Sequence, residues 1–184
     1  MFVNGYLHLI IGPMFSGKTT ALINEINHLK ILKKNIIVIN SKNDTRVEND
    51  YIQTHDNIKY KAVKLEDLKT TDTIYKSIID EYDIVCIDEA QFFNSLVPYV
   101  ENLLLNGKYV IVSGLNGDSN QKKFGNIIDL LPLCNKIVKL SGLCQICNDG
   151  TPADFTKRRS NACCKDQVLI GGNNMYTAVC RNHL

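Results

Sequence analysis

A chain of 184 residues has room for one hydrophobic core and a small appendage. Its 45% hydrophobic and 22% charged composition is ordinary for a globular protein, and a net charge of +2 supplies no broad basic field that would make nucleic acid the default partner. Seven cysteines, an odd number, do not suggest a secreted disulfide framework, and the opening "MFVNGYLHLII" lacks the basic region of a signal peptide. With no run of about twenty apolar residues to cross a membrane, the expectation is a cytoplasmic protein with reduced thiols.

In chain order, "YLHLII" (6–11) reads as a buried strand, followed by a helical face of Ala21, Leu22, Ile26, Leu29 and Leu32. "NIIVIN" (35–40) is a second strand, and residues 65–81 are predicted as a helix. "YDIVCID" (82–88) is a third strand, with a helix over 93–106 stopped by Asn106-Gly107. "KYVIVSG" (108–114) and "KIVKL" (136–140) complete the set. Strands alternating with helices predict an α/β fold, a parallel sheet covered on both faces. Past residue 141 long apolar runs vanish while Cys, Asn, Gly and basic residues rise. The expected division is therefore a domain over 1–140 and a second unit over 141–184, too small to stand without a staple.

"GPMFSGKT" (12–19) fits G-x-x-x-x-G-K-[ST] between a strand and a helix, the context in which that pattern cradles phosphate. Gly12 and Gly17 let the backbone N–H groups curl inward, and the helix beginning near Lys18 adds its positive end. Lys18 is expected to reach the terminal phosphates, and Thr19 to help hold Mg²⁺. "IVCIDEAQFF" (84–93) supplies the companion acid: Asp88 ends a buried strand where it can orient Mg²⁺, and Glu89 points into the same cleft at the carboxyl edge of the sheet.

"CQIC" (144–147) and "CRNH" (180–183) offer Cys144, Cys147, Cys180 and His183, a Cys₃His set suited to a closed structural zinc site. The 32-residue gap between them must form an extended lasso whose base the metal would tie. A redox role for Cys144 and Cys147 is the alternative. Cys86 and Cys134 read as core, and Cys163 and Cys164 as bystanders within the lasso.

Phosphate loop, "DEAQFF" and C-terminal cysteine box, standing in this order, closely resemble the type II thymidine kinases of animal cytosol, bacteria and large DNA viruses. "DTR" (44–46), "GLNG" (114–117), "FG" (124–125), "TKR" (156–158), "IGG" (170–172) and the stretch from Tyr176 to Cys180 extend the resemblance over nearly the whole chain. It implies a RecA-like core, a small zinc domain with a lasso closing over a nucleoside, and transfer of the ATP γ-phosphoryl group to the 5′-hydroxyl of thymidine, with deoxyuridine a possible second substrate. By the same resemblance Glu89 is the general base. The ATP side comprises Gly12, Pro13, Met14, Phe15, Ser16, Gly17, Lys18, Thr19, Asp44, Arg46, Asp88 and Gln91, with Thr19 and Asp88 serving Mg²⁺ and Arg46 the charge that develops in transfer. The nucleoside side comprises Met14, Asp44, Phe92, Leu115, Ser119, Gln167, Val168, Leu169, Ile170, Gly171 and Tyr176. Phe93 and Phe124 read equally well as core aromatics. A cytoplasmic homotetramer inhibited by thymidine triphosphate is also implied, with neither nucleic acid nor membrane as partner.

Ser119 departs from that pattern. The family carries an aromatic two residues after "LNG", lying against the nucleoside, and its loss predicts weaker thymidine binding or looser base choice unless another aromatic substitutes. Two other functions compete: a nucleic-acid-dependent ATPase, suggested by "DEAQ", and a zinc-bound interaction module with a relic nucleotide site. Room for a single RecA-like unit and the near-neutral charge weigh against the first. The complete set Lys18, Thr19, Asp88 and Glu89 weighs against the second.

Overall fold

The computed structural model describes residues 5–45, 50–54, 56–159, 171 and 174–184. Six parallel strands form its central sheet. In chain order these are β1 (Tyr6–Gly12), β2 (Ile36–Ser41), then, after a small hairpin of β3 (Tyr51–Gln53) and β4 (Lys59–Lys61), β5 (Val63–Leu65), β6 (Ile84–Ile87), β7 (Tyr109–Leu115) and β8 (Lys136–Lys139). Their spatial order is β5-β2-β6-β7-β1-β8, so the phosphate-loop strand β1 and the acid strand β6 flank β7. This is the α/β class expected.

Alternation along the strands divides the core into two layers. Leu7, Leu9 and Ile11 of β1, with Val110 and Val112 of β7, face one layer, which α2 (Thr73–Glu81) and α3 (Leu96–Leu105) cover through Ile78, Leu96, Tyr99, Val100 and Leu103. Ile10, Cys86 and Ile111 face the other, closed by Leu22, Ile23, Ile26 and Leu29 of α1 (Lys18–Leu29). Burial on both faces explains why these strands read as unbroken apolar runs. Cys86 is core, as expected, and its thiol is held far above the ordinary range, first by burial and then by the Asp88 and Glu25 carboxylates. Cys134 packs at the margin of the first layer.

Three local expectations give way to the tertiary structure. The helix predicted over 65–81 starts at Thr73, because Val63–Leu65 pairs with Ile39–Ser41 at the sheet edge and Asp72 takes the N-cap position. Leu32 leaves the α1 face: the helix ends at Leu29, a single 3-10 turn follows, and Leu32 is 52% exposed. The β3–β4 hairpin was not foreseen. Its strands have three residues each, too short for a periodicity to declare itself.

The main sheet ends at Lys139, and a smaller body of two antiparallel ladders follows. β9 (Gly142–Leu143) pairs with β10 (Pro152–Ala153), and β11 (Phe155–Arg158) with β12 (Tyr176–Val179). Its apolar centre is small, comprising Cys144, Ala153, Ala178, Val179 and Cys180, with Phe15 from the phosphate loop packed against it. Among the described residues only five are buried in this centre, little to hold such a body by burial alone. Among the described residues, no helix is long and apolar enough to cross a membrane.

Candidate active site

The loop between β1 and α1 needs its two fixed glycines for different reasons. Gly17 has φ +78° with open space around a would-be Cβ, so the requirement is conformational. At Gly12 the requirement is steric: a Cβ would stand 2.5 Å from the Leu140 carbonyl oxygen and 2.7 Å from Ser16 Oγ. Ser16 Oγ donates to the Pro13 carbonyl at 2.9 Å and Lys18 Nζ to the same oxygen at 2.6 Å, so the loop is closed over itself. Phe15 also adopts a positive φ of 62°, a cost of about 1–3 kcal/mol for a non-glycine residue. Packing of its ring on the small C-terminal body holds it there.

Thr19, in the first turn of α1, and Asp88, just past β6, come together. The Thr19 hydroxyl donates to Asp88 Oδ2 at 3.1 Å. Hard hydroxyl and carboxylate oxygens at the foot of a phosphate loop are the donor set Mg²⁺ prefers. Glu89 follows with φ +50°, a left-handed residue that turns the chain from the strand into a 3-10 turn over Ala90–Phe92. Its Oε2 accepts from Gln91 Nε2 at 2.6 Å, and Gln91 Oε1 accepts from the Leu115 N–H at 2.9 Å. Asp88, Glu89 and Gln91 are all buried.

A cavity of about 300 Å³ opens over this floor. Of the residues predicted from sequence it brings together Met14, Phe15, Gly17, Lys18, Thr19, Asp44, Asp88, Glu89, Gln91, Phe92, Leu115, Ser119, Gly171 and Tyr176. Gly12, Pro13 and Ser16 shape the loop beneath without lining the cavity. Arg46 and Gln167, Val168, Leu169 and Ile170 lie outside the described residues, as do Cys163 and Cys164. Asp44 is buried and accepts from Asn40 Nδ2 at 3.2 Å, a buried amide that aligns it. Phe92 and Phe124 meet edge to face with centroids 5.7 Å apart, and both line the cavity. Phe124 is thus a wall residue as well as a core aromatic, while Phe93 is 1% exposed and belongs to the core.

Sequence reasoning missed several contributions, Asn43 among them. The hairpin turn carries Gln53, Thr54 and Asn57 to the cavity, and Gln53 Nε2 donates to Asn57 Oδ1 at 2.6 Å. Asp118 enters the wall while capping its own loop, accepting from the backbone N–H groups of Asn120 and Lys122. "DSN" is an Asx-turn signal that could have been read. Thr156 of β11 lines the cavity and accepts from the Met14 N–H at 2.9 Å.

Behind the cavity, Cys144, Cys147, Cys180 and His183 present ligand atoms all within 4.8 Å of one another. A tetrahedron with Zn–S of about 2.3 Å spaces its sulfurs by about 3.8 Å. Here Cys147 and Cys180 Sγ are 3.7 Å apart, and His183 Nδ1 lies 3.3–3.5 Å from the three sulfurs. The set therefore fits zinc in size and chemistry. Burial pushes the Cys144 thiol up, but N–H groups of Cys147, Cys180 and Ile146, with the His183 ring, outweigh it and bring it down to about 5. Burial, reinforced by the neighbouring thiols of Cys144 and Cys180, raises Cys147 to about 11. Lys157 Nζ donates to the His183 carbonyl at 2.7 Å and fixes the C-terminal turn.

A glycine-bounded loop between strand and helix, a hydroxyl–carboxylate pair, a buried second carboxylate and an aromatic-walled cavity thus meet in one place. The family model described as thymidine kinase matches residues 5–184. The chain belongs to the thymidine kinase family. A thymidine kinase of Choristoneura fumiferana entomopoxvirus is 43% identical over 182 residues, covering 95% of this chain and 94% of its own. A vaccinia virus thymidine kinase is 40% identical over 177 residues (96% and 95%), and a rice one 37% over 182 residues (97% and 66%).

Proposed function

We propose that the chain transfers the γ-phosphoryl group of ATP to the 5′-hydroxyl of thymidine, giving thymidine monophosphate and ADP. The observation that carries this reading is one continuous cavity in which Lys18, Thr19 and Asp88 face Glu89, with Phe92, Leu115, Phe124 and Tyr176 around them. The apolar part suits a flat nucleobase, and the charged part suits a triphosphate.

The nucleoside's 5′-oxygen bonds to the γ-phosphorus as the bond from that phosphorus to the β–γ bridging oxygen breaks. Glu89 takes the hydroxyl proton. Lys18 and the loop N–H groups neutralise charge on the phosphates, and Arg46 adds to this by resemblance. Phosphoryl transfer asks mostly for positioning and charge stabilisation, and these residues supply both. Thr19 and Asp88 would hold Mg²⁺, which supplies further charge neutralisation. Asp44, aligned by Asn40, holds the reacting end of the nucleoside. By resemblance, the segment 167–171 reads the base edge and keeps water from the phosphoryl group. Cys144, Cys147, Cys180 and His183 would hold zinc in a structural role, since four protein ligands would leave no position for a reacting water. A cytoplasmic homotetramer, with thymidine triphosphate as its inhibitor, completes the reading by family resemblance.

Substituting Glu89→Gln tests the assignment. ATP affinity should stay within about twofold while transfer falls by about a hundredfold or more. Undiminished turnover would place the base elsewhere.

A further inference from the structure

We infer that Gln91 is a positioning residue that clamps the Glu89 carboxylate to the nucleoside wall, a role that rests on Glu89 being the base. The orientation of the Gln91 amide is dictated by its partners. The Leu115 backbone N–H can only donate, so the group facing it at 2.9 Å must be the amide oxygen, Oε1. The NH₂ end must then face Glu89, and it donates to Oε2 at 2.6 Å. The Glu89 carboxylate oxygen accepts there, so the bond fixes the orientation of that group. The residue is 3% exposed, so both contacts are made in a largely buried setting.

Two glycines make room for this arrangement. A Cβ on Gly114 would stand 2.5 Å from Gln91 Oε1 and 3.0 Å from Ile127 Cδ1. On Gly125, at φ +59°, it would stand 2.2 Å from the Gln91 carbonyl oxygen. The stretches "GLNG" and "FG" therefore share a reason: both give way to residue 91. Leu115 is itself a wall of the cavity. One amide thus spans from that wall to the carboxylate, holding Glu89 at a fixed place relative to a nucleoside seated on Leu115. Glu89 needs such a hold, since its backbone lies in the left-handed region.

The test is a cycle of Gln91→Leu, Glu89→Gln and the double variant, assayed for transfer to thymidine and, separately, for ATP binding. Gln91→Leu should lower kcat by about ten- to a hundredfold, with KM for thymidine and the dissociation constant for ATP within about twofold. In the Glu89→Gln background the same change should add less than about twofold, because the residue it positions is already disabled. Gly114→Ala, which presses on the amide from the other side, should reproduce the loss in kcat while keeping ATP binding, so a folding defect in Gln91→Leu does not end the test. Wild-type kcat in Gln91→Leu with Glu89→Gln inactive would overturn the inference alone, as would independent, multiplying losses in the double variant. Full turnover in Glu89→Gln would overturn the base assignment and the inference with it.

Discussion

The backbone N–H of Met14 donates to the hydroxyl of Thr156 at 2.9 Å across 142 positions of sequence. This bond joins the phosphate loop to β11, in the small body that carries the cysteine cluster. Phe15, the next residue, packs its ring against that body, and Gly142 lets the Phe15 carbonyl come within 3.0 Å of where a Cβ would be. The C-terminal unit thus buttresses the loop between β1 and α1.

Thr156→Val keeps the shape and removes the acceptor. The orphaned Met14 N–H should loosen the loop at a cost of about 1 kcal/mol, or about fivefold in ATP affinity. Isothermal titration with ATP measures it. Unchanged affinity would show that the loop keeps its form without this bond.

Zinc removal should act along the same route. With about one zinc per chain bound at the Cys₃His set, a strong chelator should lower the thermal midpoint and weaken ATP binding together. Cys147→Ser should do both without a chelator. Loss of metal with ATP affinity intact would separate the cluster from the phosphate loop.

His8 predicts a pH dependence of stability. It is 2% exposed on β1, with Glu25 of α1 3.7 Å from Nδ1 and Lys136 of β8 beside it. Burial first, then Lys136, hold it below its ordinary value of 6.5, against a pull upward from Glu25. The unfolded chain therefore takes up a proton near that pH while the folded chain does not. Stability from this residue is complete above about pH 6.5 and falls as the pH drops toward the folded value. Urea midpoints at pH 7.5 and 5.5 should differ less in His8→Leu than in wild type. An equal difference in both would assign the dependence to other groups.

Ser119 lines the cavity where an aromatic was expected, and Phe92 and Phe124 supply an edge-to-face pair on the wall. Ser119→Phe adds a further ring. It should lower KM for thymidine about two- to tenfold with kcat little changed, and widen the preference over deoxycytidine. A steady-state panel of thymidine, deoxyuridine and deoxycytidine measures this. No change in KM or preference would mean that the existing pair already provides the surface.

The parts of this protein that could be read in its sequence are those whose physics is local. Strands buried on both faces announce themselves as apolar runs, and the phosphate loop by glycines at fixed spacing. β5 was hidden because three residues, Val63–Leu65, carry no period and gain their state from pairing with Ile39–Ser41. The bonds of Gln91 were not legible, since they need Leu115 to be brought beside it from 24 positions away. Thr156 was legible only as part of "TKR". Gln53, Thr54 and Asn57 look like an ordinary polar turn, and nothing in them reports that the hairpin leans over the cavity.

The central claim is tested most directly by following the label from γ-³²P ATP with Mg²⁺ and thymidine and resolving the products. Label should appear in thymidine monophosphate, one for each ADP formed, and neither DNA nor RNA should alter the rate. Label released as inorganic phosphate at a rate raised by nucleic acid, with no thymidine monophosphate, would contradict the account.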